Sequence, residues 1–587
     1  MGGIAGHAGP ASPELIQELS ARLKHRGEFE ARDTRGAFAL AERRRTAGSA
    51  VACSADGRVL CVMDGHLFNR DEIRGLLSDA PAGASDAALV AELLARHGSE
   101  IFERLDGAFG LAAIVDDTLH VVRDPLGEKP LYFAPSIAGT LLFASEIKAF
   151  LAHPAFVVEA DPSALSRLLV YSFIPGRRTA FRGVQELEPG CRLELRAGET
   201  EPRVVRYWEL SERISDASED ELREQMRTLL FEAVKRRLPA EGPVTAFLSG
   251  GGDSSAVVAI MSELGRPPLC LSCSFGYGQP NELLYATMVS VEHELEHQVF
   301  DVHPEQFLDE LPRIMWALDD PLCDCITVPN YLLAREASRH SSVVFNGEGG
   351  DPLFGGPKNK FMILGEWYGY LGNYDRTTAY LASYHKFFDY IGDLYTPEFL
   401  ESSGGVSALT EHVRETLESS RFDSYLNRLM HVNIRLKGGQ NILVKVDKML
   451  TPNGVEAQSP LFDRRLAEHS FTVPAGLKRK GDVEKYLFKR AVDDLLPHPV
   501  VYRKKAGMGV PLNHWFRKTP LRRYAREILG SARARERGLF QQAFVDNLLA
   551  GELPLGHIGR DRTGELLWMI LAVELWHRVY VDGAHPT

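Results

Sequence analysis

The chain lacks an apolar run long enough to cross a bilayer. Its greasiest stretch, LLWMILAVELW, is interrupted by Glu574 and falls far short of the ~20 residues a spanning helix needs. The start, MGGIAG, has no basic segment followed by an apolar core, and Gly6 stands where an N-myristoyl signal needs Ser or Thr. Positive charge is not in excess either. Lys plus Arg number 67 against 79 Asp plus Glu, a net charge of −12. That balance excludes a general nucleic-acid binder, and a phosphate ligand must be held by local groups against a repelling overall field. Cysteine is sparse, seven in 587 residues. An odd, scattered set excludes a disulfide scaffold and points to reduced thiols and a cytoplasmic location. Cys270-x-x-Cys273 and Cys323-x-Cys325 would be zinc half-sites, but no flanking His or further Cys completes either. Repeats and low-complexity tracts are missing too. Apolar residues at 44% and charged residues at 25% mark an ordinary globular chain. Its length allows two large domains or about four average ones.

What is present changes style along the chain. Up to about residue 210, short runs such as RVLCVMDG, FGLAAIVDD, TLHVVRD and TLLFASE are broken by Gly, Asp and Pro, a pattern that predicts antiparallel strands. Helical spacing predicts helices over 12–24 and 85–97, the second capped by Ser85 or Asp86. This part reads as an α+β domain, 1–210. The polar segment 211–221 reads as a linker. Leu222, Met226, Leu229, Leu230, Ala233 and Val234 then repeat at helical spacing. In 222–587, buried-strand runs first alternate with helices: VTAFLSGGGDSSAVVAIMSEL, LCLSCSFGYG, HQVFDV, SSVVFNGEGGD. Such alternation predicts a parallel sheet with helices on both faces and a site beyond the carboxyl ends of its strands. From about residue 360 the chain reads as mostly helical and rich in aromatics.

The sharpest signal is FLSGGGDSS, where a strand running to Leu248 gives way to Ser249, Gly250, Gly251, Gly252, Asp253, Ser254 and Ser255 and then to an apolar helix. Glycines let the backbone approach a ligand, and N–H groups at the helix start point at an anion. Asp253 repels an anion, so it calls for a metal between itself and a phosphate, and magnesium suits that role. No Lys follows the glycines, so this is not the GxxxxGK[ST] loop. A second strand-end loop, VVFNGEGGDPLFGG, carries Gly347, Glu348 and Asp351. In one parallel sheet the two loops bring Asp253 and Asp351 to one magnesium.

The Ser-Gly-Gly-x-Asp-Ser-Ser string resembles the pyrophosphate loop of the N-type ATP pyrophosphatases. The likeness then widens. SGGGDSS, SCSFGYGQPNELLYA, WALDDPLCDCITVPNYLL, NGEGGDPLFGG, LVKVDKML, VEAQSPLFD and RKKAGMGVP, with GGIAG, KHRG, MDGHLFN, ASDAAL, RDPLGEKPLYF and FASEIKAF before them, resemble the asparagine synthetase family over some 500 residues. The resemblance implies an Ntn-hydrolase-like αββα domain followed by an α/β parallel-sheet ATP pyrophosphatase domain with a helical C-terminal part. It implies ATP and Mg²⁺, with a substrate carboxylate attacking the α-phosphate to give an acyl-adenylate. A nitrogen nucleophile then expels AMP. Leu248, Ser249, Gly250, Gly251, Asp253, Ser254, Ser255, Ser274 and Gly347 would hold ATP and pyrophosphate, and Asp253 and Asp351 the metal. Glu348 would take the proton of the amine, and Lys505 would stabilise charge on phosphate and acyl oxygen.

Several positions depart from that family. Gly2 stands where the glutaminase has its N-terminal cysteine, so covalent catalysis through a thiol is absent. Asp64-Gly65-His66 replaces Asn-Gly-Glu, and Asp64 would repel an oxyanion. Asp86, which the family uses for the glutamine α-amine, remains. Pro352 replaces an acidic residue and Gln458 an arginine, so an anionic acyl substrate loses a fixed partner. Lys358, Lys360 and the aromatics of GGPKNKFMILGEWYGYLGNY either contact an unusual substrate or pack a helix face. The expectation is an amide-forming ligase of natural-product metabolism, without glutaminase activity. It resembles β-lactam synthetases and lasso peptide macrolactam synthetases, although the β-lactam branch has Tyr where this chain has Glu348. Its substrates would be a small-molecule, peptide or carrier-bound carboxylate and an amine, with no nucleic acid and no membrane; a homodimer is compatible with the sequence. The alternatives are an ammonia-dependent asparagine synthetase, an inactive scaffold, and a tRNA-modifying relative disfavoured by the acidic charge.

Overall fold

The computed structural model describes residues 2–46, 51–77, 83–279, 281–356, 375–384, 386–418, 421–503, 509–552 and 561–586. They form two compact units. The first comprises 1–158, 176–210 and 438–456; the second comprises 159–175, 211–437 and 457–587. The segment 438–456 therefore belongs with the first unit, although it lies deep in the second half of the chain.

The first unit is built on strands β1 (Gly2–Ala8), β2 (Phe29–Arg35), β3 (Phe38–Arg44), β4 (Ala52–Cys53), β5 (Val59–Leu67), β6 (Gly107–Val115), β7 (Thr118–Arg123), β8 (Tyr132–Ile137), β9 (Thr140–Ala144), β10 (Gln185–Glu186), β11 (Cys191–Arg196) and β12 (Arg203–Arg206). They make two six-stranded sheets, ordered β10-β8-β9-β1-β3-β2 and β12-β11-β7-β6-β5-β4. Successive side chains of a strand point to opposite faces, and here both faces are covered. On β5, Leu60 and Val62 join Ile4, Leu40 and Phe143 in one core, while Val59, Cys61 and Met63 join Val90, Leu93 and Leu94 in another. Helices α1 (Leu15–Ala21) and α2 (Asp86–His97) form the outer layers, α1 through Ile16 against Ala39 and Ala41. The result is an Ntn-hydrolase-like αββα sandwich. Ser85 caps α2, accepting from the Ala88 amide at 3.2 Å, and Gly98 at φ +67 ends it.

In the second unit, helix α3 (Glu219–Lys235) begins three residues earlier than its apolar spacing predicts. The reason is a capping box between Ser218 and Glu221. Leu222, Met226, Leu230, Ala233 and Val234 are buried as expected, but Leu229 is only half-buried. The sheet contains β13 (Thr245–Phe247), β14 (Leu269–Ser274), β15 (His297–Asp301), β16 (Val343–Phe345) and β17 (Glu456–Gln458), in the order β15-β14-β13-β16-β17. The β13–β14, β13–β16 and β14–β15 pairs are parallel. The order reverses at β13, and the loops after β13 and β16 are neighbours there, a place where open α/β sheets bind ligands. Helices dominate the remainder. The LLWMILAVELW stretch lies in a buried helix, Thr563–Trp576, whose Glu574 is paired with Arg537 at 2.6 Å and Arg578 at 2.9 Å. Among the described residues no helix is long and apolar enough to cross a membrane.

Candidate active site

The loop after β13 is tied to itself. The hydroxyls of Ser249 and Ser254 lie 3.0 Å apart, the Ser249 amide donates to Ser254 Oγ at 3.2 Å, and the Gly251 amide donates to Ser249 Oγ at 3.2 Å. Helix α4 (Gly252–Glu263) follows, with Gly251 as an N-cap that offers no side chain. Its first-turn N–H groups therefore have no side-chain cap, the arrangement that receives an anion. Leu248 and Ser255 sit deeper. The Leu248 amide donates to Leu271 O at 2.9 Å. Ser255 is fully buried and its amide donates to Gly251 O at 3.0 Å. These hydrogen bonds fix the two residues at the base of the loop. Ser274 ends β14, where its hydroxyl accepts from the Gly276 amide at 3.1 Å.

The loop after β16 passes directly against the first. A β-carbon on Gly347 would lie 2.3 Å from the Ser254 amide nitrogen, and one on Gly350 would lie 2.2 Å from the Asp253 carboxyl carbon. Only glycine permits that approach. Asp351, on the short helix Gly350–Phe354, and Asp253, on α4, converge on one cation, Lys485 Nζ. The ammonium lies 2.7 and 2.6 Å from the two Asp253 oxygens and 2.7 Å from Asp351 Oδ1. Burial alone would lower the Lys485 pKa, but the two carboxylates hold it well above the ordinary lysine range. Two hard oxygen ligands set around one positive centre fit a magnesium ion. Glu348 is half-buried, its amide accepted by Asn346 Oδ1 at 3.0 Å, and among the described residues its carboxylate makes no ion pair.

A second cation braces the first loop. Arg503 donates to Gly250 O at 2.9 Å, pairs with Glu282 at 2.5 Å and lies 4.3 Å from the centre of the Tyr285 ring. Lys505 lies outside the described residues, as do Lys358 and Lys360. Pro352 is buried within Gly350–Phe354. Gln458 is buried on β17, its carbonyl accepting from the Asn346 amide at 3.0 Å.

The first unit assembles a different cluster around Arg26, which is fully buried. Its Nε donates to Gly2 O at 2.6 Å. Its guanidinium meets Glu146 at 2.8 Å, Asp447 at 2.9 Å and Asp64 at 3.1 Å. Lys129 lies 3.5 Å from Asp447, and His25 lies 2.9 Å from Glu146. Burial works against every charge here. The neighbouring cations nevertheless pull Asp447 below the ordinary carboxylate range and Glu146 well below it. Gly65 continues β5 opposite Phe109, and His66 pairs with Glu456 at 3.1 Å. Asp86 accepts from the Leu67 amide at 2.9 Å and is paired with Arg70. A β-carbon on Gly2 would lie 2.5 Å from Arg43 O, so β1 leaves no space for a side chain there.

The profile of the asparagine synthase family matches residues 225–578, and that of the glutamine amidotransferase domain matches residues 1–208. The chain belongs to the asparagine synthetase family. It is 29% identical to a putative glutamine-hydrolysing asparagine synthetase of Mycobacterium tuberculosis (strain ATCC 25618 / H37Rv), over 90% of this chain and 85% of that one. It is 26% identical to glutamine-hydrolysing asparagine synthetase 1 of Bacillus subtilis (strain 168), over 97% and 94%. Among solved structures, glutamine phosphoribosylpyrophosphate amidotransferase from B. subtilis overlaps 52% of this chain and 70% of its own at 15% identity. Its TM-score of 0.28 is too slight a likeness to argue from. Family membership makes the chain an ATP-using synthetase of the asparagine synthetase type, which forms C–N bonds by amidation. Within this family member, the structure brings together Ser249, Gly251, Asp253, Ser254, Gly347 and Asp351. Two charged partners escaped the sequence reading. Lys485 carries no local motif, and Arg503 is noticeable only as the flank of Lys505.

Proposed function

We propose that this family member activates a substrate carboxylate as an acyl-adenylate and passes the acyl group to an amine that glutamine does not supply. The observation that carries the first half is the convergence of Asp253 and Asp351 on one cation beside a serine- and glycine-lined helix start. The loop 249–254 would hold the pyrophosphate portion of ATP, through its N–H groups and the hydroxyls of Ser249 and Ser254. Asp253 and Asp351 would hold magnesium, which when bound neutralises charge on the phosphates. Arg503, by tying Gly250 to Glu282, keeps the loop in its receiving shape. Glu348, half-buried and without an ion pair among the described residues, would accept the proton that the attacking amine must lose. Lys505 would stabilise charge developing on the transferring groups.

Support for the second half comes from the first unit. Residue 2 has no thiol and no space for one. Asp64 is engaged by Arg26, His66 by Glu456 and Asp86 by Arg70. Glutamine would thus meet neither a nucleophile nor a free carboxylate for its amine. Free ammonia or the amine of a larger substrate takes its place. Pro352 and Gln458 remove charges suited to aspartate, which favours a carboxylate of specialised metabolism. Carboxylate-dependent ATP–pyrophosphate exchange tests activation, and amide formation with ammonium or with substrate amines tests the acceptor. Asparagine made from aspartate and ammonium would replace the specialised substrate with aspartate. Asparagine made with glutamine as the sole nitrogen source would overturn the reading of the first unit.

A further inference from the structure

We propose that Lys485 is a built-in occupant of the metal position, released only when phosphate arrives, so that metal and nucleotide enter the site together. The inference rests on the ligase reading for the identity of the nucleotide, but its geometry stands on the chain alone. The ammonium touches both oxygens of Asp253 and one of Asp351 at 2.6–2.7 Å. A magnesium ion bridging the same carboxylates would need their oxygens at about 2.0–2.1 Å, in the same small space. Both cations cannot sit there, because like charges a few ångströms apart in a half-buried site repel strongly.

The lysine is built into this place. Its side chain is 7% exposed, whereas those of Asp253 and Asp351 are 16% and 25% exposed. The cation therefore reaches the carboxylates from the protein side and leaves them facing outward. Its stem fits because residue 356 is glycine: a β-carbon there would lie 2.5 Å from Lys485 Cε. The backbone of Lys485 is left-handed, at φ 52 and ψ 40, immediately before helix α5 (Tyr486–Val492). A residue with a β-carbon holds that conformation only when its surroundings fix it. Without any cation the two carboxylates would repel each other and separate. The lysine keeps them at receiving distance.

A phosphate chain in the adjoining loop offers the ammonium a new partner within reach of its flexible stem. Departure of Lys485 then opens the position between the carboxylates. By linkage, phosphate and metal must strengthen each other's binding reciprocally.

Mn²⁺ is the probe, with the protein-bound ion read by enhanced water-proton relaxation in the full chain without ATP, and the complex that Mn²⁺ forms with pyrophosphate alone subtracted from protein-free titrations. Wild type should bind Mn²⁺ weakly, and inorganic pyrophosphate should tighten that binding by about tenfold or more. Lys485→Met should bind Mn²⁺ about tenfold tighter than wild type without pyrophosphate and gain much less from adding it. Adding Asp253→Asn to Lys485→Met should remove the gain. Equal Mn²⁺ affinity in wild type and a folded Lys485→Met, checked by its thermal melt, would overturn the proposal. If that variant does not fold, absence of pyrophosphate coupling in wild type overturns it instead. Coupling without carboxylate-dependent exchange would leave Lys485 in this role and remove the ligase reading. Exchange without coupling would do the reverse.

Discussion

Each unit holds carboxylates around a buried cation, and the two clusters serve opposite ends. Around Arg26 the charges are closed off from solvent: a rigid guanidinium meets Glu146, Asp447 and Asp64 while its Nε binds Gly2 O, with Arg26, Asp64 and Glu146 each no more than 1% exposed. Around Lys485 they are open. A single flexible ammonium spans two half-buried carboxylates beside a helix start without a side-chain cap. A guanidinium with fixed geometry suits a permanent joint, and an ammonium on a four-carbon stem suits an exchangeable one. Residual exposure and a replaceable cation separate a site from a clamp, more than the number of charges does.

The largest effect is expected at Arg26. Arg26→Met should destabilise the first unit by about 3–5 kcal/mol, since it leaves three buried carboxylates without their shared cation. Guanidinium unfolding would measure it, and a loss below about 1 kcal/mol would mean that the cluster is not a clamp. Acid should attack the same place. Glu146, Asp447 and Glu456 have lowered folded pKa values. Their contribution is fully present above the ordinary carboxylate range and is lost as pH falls through the lowered values. Unfolding midpoints recorded from pH 6 to pH 2 should drop below about pH 4, and the drop should shrink in Asp447→Asn.

Lys478 sharpens the contrast, because it is a buried cation in the second unit with no ion pair among the described residues. It donates to Asn427 Oδ1 and lies 5.1 Å from the Phe471 ring centre. Burial lowers its pKa to about 7, with Glu212 opposing. Between about pH 7 and the ordinary lysine value near 10.5, the unfolded chain binds a proton that the folded chain does not. Stability should therefore rise with pH across that window. Lys478→Met should flatten the rise and stabilise the protein by about 1–2 kcal/mol at pH 7; an unchanged pH slope in urea unfolding would contradict the assignment. The smallest effect is expected at Gly2. Gly2→Cys should leave glutamine hydrolysis at background, and measurable glutamate release would show that the first unit retains a usable pocket.

Much of the fold is encoded locally. Ser85 is readable as a cap, and the strand-end rule places Asp253 and Asp351 together from two Gly-rich loops. The failures have a shared cause, since they depend on contacts distant in sequence. LVKVDKML carries the family resemblance without showing a partner for Asp447, which joins Arg26, 421 residues away. Nothing around GDVEKYLF marks Lys485, because its role comes from two aspartates over 130 residues earlier. The alternation in RVLCVMDG signals a strand, but it distributes side chains between two buried cores rather than between core and water.

The most direct test of the account is carboxylate-dependent exchange of labelled pyrophosphate into ATP, measured with wild type and Asp253→Ala across aspartate, amino-acid amides, peptides and carrier-bound acids, with and without amines. Exchange is expected in wild type with one class of acid, none in Asp253→Ala, and no dependence on glutamine. Equal exchange in the two proteins, or ATP cleavage to ADP and phosphate, would contradict it.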